Sequence, residues 1–91
     1  HLQTIISAGV PIIQGLNDHI EQTGNAHFKR ILEDVRASIQ AGSSLSEALD
    51  KYPKAFSALY VSVIRAGEAS GNLESVLKDL ILFLEWQEEI I

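Results

Sequence analysis

The sequence predicts an all-α fold of six helices. Three observations carry this. Apolar residues recur three and four apart along most of the chain, no useful stretch alternates apolar and polar with the period of two that a strand needs, and Gly, Pro, Asn and Ser fall between the apolar stripes, where helices start and stop. A chain of 91 residues is predicted to form one domain over 1–91, small enough that nearly every apolar helix face must build the core.

Leu2, Ile5 and Ile6 share one side of a short first helix that Gly9 is expected to close. Pro11 then opens a second helix at the first-turn position, where its missing N–H costs nothing; Ile13, Leu16 and Ile20 carry the buried face, and "TGN" stops it. Asn25 is a suitable N-cap for a third helix, whose Phe28, Ile31, Leu32, Val35 and Ile39 form a single stripe ended by Gly42. In "SLSE", Ser44 and Glu47 make the reciprocal capping box of a short fourth helix that points Leu45, Ala48, Leu49 and Tyr52 inward. Tyr52-Pro53 ends it, because the residue before proline is pushed out of the α region.

The fifth helix, Ser57 to Ala66, offers Leu59, Tyr60, Val63 and Ile64 to the core, with Phe56 at its entry and Gly67 as its C-cap. The endings "IISAG" and "VIRAG" echo each other, and both glycines are read as helix ends. Asn72 caps the sixth and longest helix. Its Leu73, Val76, Leu77, Leu80, Ile81 and Leu84 make a core stripe about 140° wide. Leu82, Phe83, Trp86 and Ile90 fall outside that stripe, so the helix has a second apolar face. Two readings of this face stand open: it packs on the first helices of its own domain, or it is a partner-binding or self-associating patch.

Signatures of chemistry are poor. No two of His1, His19 and His27 have the spacing of a helical metal site, and no H-E-x-x-H occurs. "GEASGN" precedes a helix as a phosphate loop would, but Asn72 and Leu73 stand where a P-loop needs Lys and Ser or Thr, and Glu68 and Glu74 repel a phosphate. The serines lie in no G-x-S-x-G and serve as caps and turns. Glu85, Glu88 and Glu89, with Glu74 and Asp79, read as a solvated acidic face, against a weak divalent-cation site as the alternative. The chain is therefore expected not to be an enzyme and to need no catalytic residue, metal or cofactor.

Without cysteine there is neither a disulfide framework nor a thiolate metal site, and the cytoplasm is the default compartment. The net charge of −5 disfavours nucleic acid and favours protein partners. All of that excess is placed late: six acids balance six bases through Gly67, whereas from Glu68 onward six acids face only Lys78. No run approaches the roughly 18 apolar residues of a membrane span, and the residues from His1 onward lack the basic and apolar regions that mark a signal peptide. Beginning at His1 and ending on "EWQEEII", it reads as a domain excised from a longer chain.

"AGVP" before an apolar helix, "GSSLSEAL" and "RAGEASGNL" together resemble the cytoplasmic domain of the polytopic inner-membrane platform protein of bacterial type II secretion and type IV pilus systems. The resemblance runs from "LQTIISAGVPIIQGL" to the end and looks more like the first of that family's two repeated domains. It implies a compact antiparallel six-helix bundle on the cytoplasmic side of the bacterial inner membrane, anchored by flanking spans absent from this sequence.

It also implies a non-enzymatic scaffold that docks the cytoplasmic assembly ATPase and other inner-membrane subunits, couples ATPase motion to assembly of pilin-like subunits, and self-associates. The family's motif positions fall here on Gly9, Pro11, Ser44, Glu47, Arg65, Gly67, Glu68, Ser70, Gly71 and Asn72, none of them catalytic. Trp86 stands where a more polar residue is common. The expected partner-binding residues are Leu82, Phe83, Trp86 and Ile90, with Arg65 and Glu68 at the turn before them. A regulatory or ligand-sensing helical domain is the alternative.

Overall fold

A computed structural model describes the backbone of residues 2–90 and the side chains of residues 10–72 and 74–86. The described residues form five helices and no strand: α1 (Leu2–Gln22), α2 (Ala26–Gln40), α3 (Leu45–Asp50), α4 (Ala58–Ala69) and α5 (Leu73–Ile90). Each helix packs on its chain neighbours, and α5 returns to close the circuit on α1. The molecule measures 40 × 25 × 21 Å.

The all-helical expectation holds and the count of six does not, because α1 is continuous through both Gly9 and Pro11. Proline inside a helix removes one hydrogen bond, here the N–H that the Ser7 carbonyl would have accepted, and crowds the preceding turn. That penalty is local. Ile12, Leu16 and Ile20, spaced four apart and all buried, hold the helix on the core beyond it. Ile12, rather than the expected Ile13, faces inward.

The local stop and start signals beyond α1 act largely as read. The Asn25 side chain accepts from Phe28 N, Ser44 and Glu47 form the full capping box, Ser57 accepts from Tyr60 N, and Asn72 Oδ1 accepts from Ser75 N at 3.2 Å. Two helices end in the same way. At the end of α2, Gly42 N donates to Ile39 O and Ser43 N to Ser38 O; at the end of α4, Gly71 N donates to Glu68 O and Asn72 N to Gly67 O. These are paired Schellman turns, and Gly42 and Gly71 carry the positive φ, 114° and 76°, that each requires.

Gly67 is therefore not the end of its helix. It lies inside α4, and a Cβ built on it would stand 2.5 Å from Val76 Cγ2, so glycine is what lets α4 and α5 approach.

The core draws Leu16, Leu32, Val35, Leu49, Phe56, Val61, Ile64, Val76, Leu80 and Leu84 from all five helices and the loop before α4, each almost fully buried. Burying one such aliphatic side chain is worth about 1.5–3 kcal/mol. Beside it, Tyr52 donates its hydroxyl to Asp34 Oδ2, which also meets Lys51 Nζ at 2.9 Å, while Lys51 Nζ donates to Ser38 Oγ at 2.6 Å. This cluster fastens the end of α3 to α2.

The directions of the helices also depart from a simple antiparallel bundle. α1 and α2 run oppositely, as His19 against Phe28 and Asn17 with Arg36 show. α5 instead runs parallel to α1: Gly15 lies against Leu77 and Ile81, and the groove continues past His19 and Gln22 opposite Leu84 and Glu85.

Candidate interaction face on the last two helices

The site is built on the antiparallel contact of α4 and α5. Gly67 sets it at one end by admitting Val76, and at the other Tyr60 stacks on Phe83 with ring centroids 4.4 Å apart and planes at 19°. Phe83 also meets Phe56 at 5.5 Å and Trp86 at 6.4 Å. Phe56 is 1% exposed, so the stack is rooted in the core. Rigid aromatic packing of this kind is worth about 0.5–1.5 kcal/mol per pair beyond area burial.

Over this stack lie four large apolar side chains that the protein leaves in water: Leu59 is 76% exposed, Val63 47%, Leu82 53% and Trp86 54%. Leu59 and Val63 are turned from Tyr60 by about 100° and 60°, and Leu82 and Trp86 by the same angles in the same sense from Phe83. In an antiparallel pair a common sense brings both sets to the same side. Ile64 and Leu80, turned the opposite way, are buried. The four residues thus form one apolar face across two helices, with Glu85 lining the shallow pocket beside Leu82 and Trp86.

One polar group within this arrangement is unfulfilled. The Tyr60 hydroxyl is buried without a hydrogen-bond partner among the described residues, and burial first, then the Asp79 charge, pushes its pKa up. Burial thus keeps the phenol neutral beneath the apolar face.

A family model described as "Type II secretion system (T2SS), protein F" matches residues 1–90. The chain belongs to the type II secretion system protein F family. The type IV pilus assembly protein PilC of Thermus thermophilus is 44% identical over 89 residues, covering 98% of this chain and 22% of that protein. PilC of Myxococcus xanthus is 36% identical, with 96% and 21% covered, and the type II secretion system protein F of Aeromonas hydrophila is 35% identical, with 98% and 23% covered. The chain thus spans about a fifth of the length of these relatives.

Within this member of the protein F family, the expected partner-binding residues separate into groups. Leu82 and Trp86 are exposed, and Phe83 is half-buried as their support. Ile90 lies outside the described side chains. Glu68 serves the fold: its carboxylate accepts from Ser46 N at 3.1 Å and Ser46 Oγ at 2.6 Å, capping the first turn of α3 from the end of α4. Arg65 is exposed, and no ion pair joins it to Glu68 among the described residues.

Leu59 and Val63 are the additions, and they correct the expectation that both face the core. The inward residues of α4 are Val61 and Ile64, with Tyr60 half-buried. Apolar side chains at Leu59, Tyr60, Val61, Val63 and Ile64 spread over about 200° of that helix, wider than one core face, so periodicity alone does not choose which of them face inward. No group of three or more His, Asp or Glu side chains gathers as a metal site among the described residues; the side chains of Glu88 and Glu89 lie outside them. Among the described residues no helix is long and apolar enough to cross a membrane.

Proposed function

We propose that this chain is a non-enzymatic docking domain of an inner-membrane platform protein in type II secretion or type IV pilus assembly, placed on the cytoplasmic side and corresponding to the first of two repeated domains. It works by helix-face contacts. The platform receives the cytoplasmic assembly ATPase and neighbouring inner-membrane subunits, and its domains pass ATPase motion to the addition of pilin-like subunits. The observation that carries this reading is the apolar face of Leu59, Val63, Leu82 and Trp86 on a rigid aromatic base. A contiguous apolar surface that includes Trp is costly to leave in water and is the composition of an interface centre.

The test is site-specific photocrosslinking of the parent protein in its own membrane. Photoreactive groups at positions 59, 63, 82 and 86 are expected to capture a second copy, the assembly ATPase or another inner-membrane subunit, while groups at Glu21 and Lys29 are expected to capture none of these. Equal capture from both sets, or none from the first, would sink the assignment.

A further inference from the structure

A second pocket, of about 510 Å³, opens between α2 and the turn that follows α3. Phe28, Ile31, Tyr52 and Pro53 give it an apolar lining, and among the described residues no carboxylate lines it, in a chain whose net charge is −5. Its walls are held by the fold itself. Phe28 is 7% exposed and meets Phe56 of the core at 6.4 Å, and Tyr52 is fixed by the bond from its hydroxyl to Asp34. The pocket is therefore preformed, and a ligand spends little on ordering it.

The rim offers donors. Asn25 uses its Oδ1 to accept from Phe28 N at 2.9 Å, which leaves its amide nitrogen as the half still able to bond. Lys51 is already committed, to Asp34 at 2.9 Å and to Ser38 at 2.6 Å. Lys54 and His27 are exposed at the edge, and no ion pair engages Lys54 among the described residues. An apolar basin with a free cation at its rim is complementary to a ligand that carries apolar groups beside a carboxylate. The neighbouring groove narrows the choice. His19 stands edge-on to Phe28 at 6.3 Å and lines that groove together with Asp18 and Glu85. A broad anionic surface such as a bilayer, laid across Phe28, would meet those carboxylates, whereas a short segment confined to the pocket would not.

We propose that this pocket binds a short acidic segment of another protein, one in which large apolar side chains adjoin Asp or Glu, with the apolar groups against Phe28, Ile31 and Tyr52 and a carboxylate on Lys54. The site is separate from the α4–α5 face and stands or falls without it. Burial of the apolar groups supplies most of the affinity. The charge at Lys54 selects acidic over basic segments, because a basic one brings like charge to a rim that has no carboxylate to receive it.

Fluorescence anisotropy of the 91-residue chain tests it. The probe is a fluorescein-labelled synthetic peptide in which adjoining leucine and phenylalanine are flanked on each side by two glutamates. It is expected to bind one-to-one, and at least about ten-fold more weakly once its glutamates are replaced by lysines or its leucine and phenylalanine by serines. Lys54→Glu is expected to weaken binding at least about ten-fold and Lys54→Gln about three-fold, whereas Lys78→Glu, the same charge change outside the pocket, leaves it unaltered. Lys54 and Lys78 are exposed, so circular dichroism is expected to match the wild type in each variant. Amide shifts in nitrogen-edited NMR are expected to cluster within residues 25–31 and 51–55. No binding, equal affinity for the lysine or the serine peptide, an equal effect or none from Lys54→Glu and Lys78→Glu, or shifts centred on α4 and α5 would overturn the proposal. So would phosphatidylglycerol vesicles that bind the chain through Lys54 and displace the peptide, since the site would then belong to a membrane surface.

Discussion

Gly67 shows how one missing methyl group sets the distance between two helices. In an exposed helix, Gly→Ala stabilises by up to about 1 kcal/mol through propensity. Here the new Cβ would stand 2.5 Å from Val76 Cγ2, on a stiff β-branched side chain that is 2% exposed. Overpacking then dominates, and Gly67→Ala is expected to destabilise by about 1–3 kcal/mol in a thermal or urea melt. Adding Val76→Ala is expected to recover part of that loss, which a double-mutant cycle would register as non-additivity.

Glu68 and Asp34 act at the same scale through charge. Glu68→Ala removes the acceptor of both Ser46 donors, one of them on a residue 2% exposed, and is expected to cost about 1–3 kcal/mol, against a change within about 0.5 kcal/mol for Arg65→Ala. Asp34 has its pKa lowered by the Tyr52 hydroxyl first and by Lys51 second. Its ionised form is the one the fold favours, so its contribution is present above the ordinary carboxylate pKa and is lost as pH falls through the lowered value. Asp34→Asn is accordingly expected to destabilise at neutral pH, with the gap from wild type closing below about pH 4 in melts across an acid series. Tyr52 shifts upward through the same bond, so its share is present below its ordinary pKa and is lost only as alkaline pH passes the raised value.

At the scale of the element, α1 is the informative case. Were the chain broken at Gly9, Pro11 would occupy a first-turn position and Pro11→Ala would be neutral or destabilising. Because Pro11 sits inside a 21-residue helix, the substitution restores a hydrogen bond and removes a clash, and it is expected to stabilise by about 1–3 kcal/mol in a thermal melt. What the sequence makes legible is what it encodes within one turn. The caps at Asn25, Ser44, Ser57 and Asn72 each involve a donor three residues away, and each is formed.

What is hidden depends on residues far along the chain. Gly9 and Gly67 share an Ala-Gly ending that reads as a stop, yet a glycine ends a helix only if the next residues turn back, and at the second site that reversal belongs to Gly71. The partner of Glu68 is 22 residues away, beyond any local pattern. The exposed face of α4 is hidden for a different reason: its apolar residues spread over an arc of about 200°, wider than one core face, and the pairing of Tyr60 with Phe83 decides which of them face water.

For the molecule as a whole, the core and the candidate face share α5 without sharing side chains. Leu84 is 1% exposed and Trp86 54%, so their substitutions are expected to separate two properties. Leu84→Ala should cost about 2–5 kcal/mol of stability. Trp86→Glu should shift stability by only about 0.5 kcal/mol while abolishing capture of partners by a photoreactive group at position 82, as read by melts and crosslinking. A collapsed fold in Trp86→Glu would return that residue to the core.

The parallel course of α1 and α5 has a mechanical meaning. Two adjacent helices running the same way put the start of α1 and the finish of α5 at opposite ends of a molecule 40 Å long. Tension applied between those two points pulls α1 and α5 past each other lengthwise, loading the packing along their shared groove together instead of peeling it open one contact at a time.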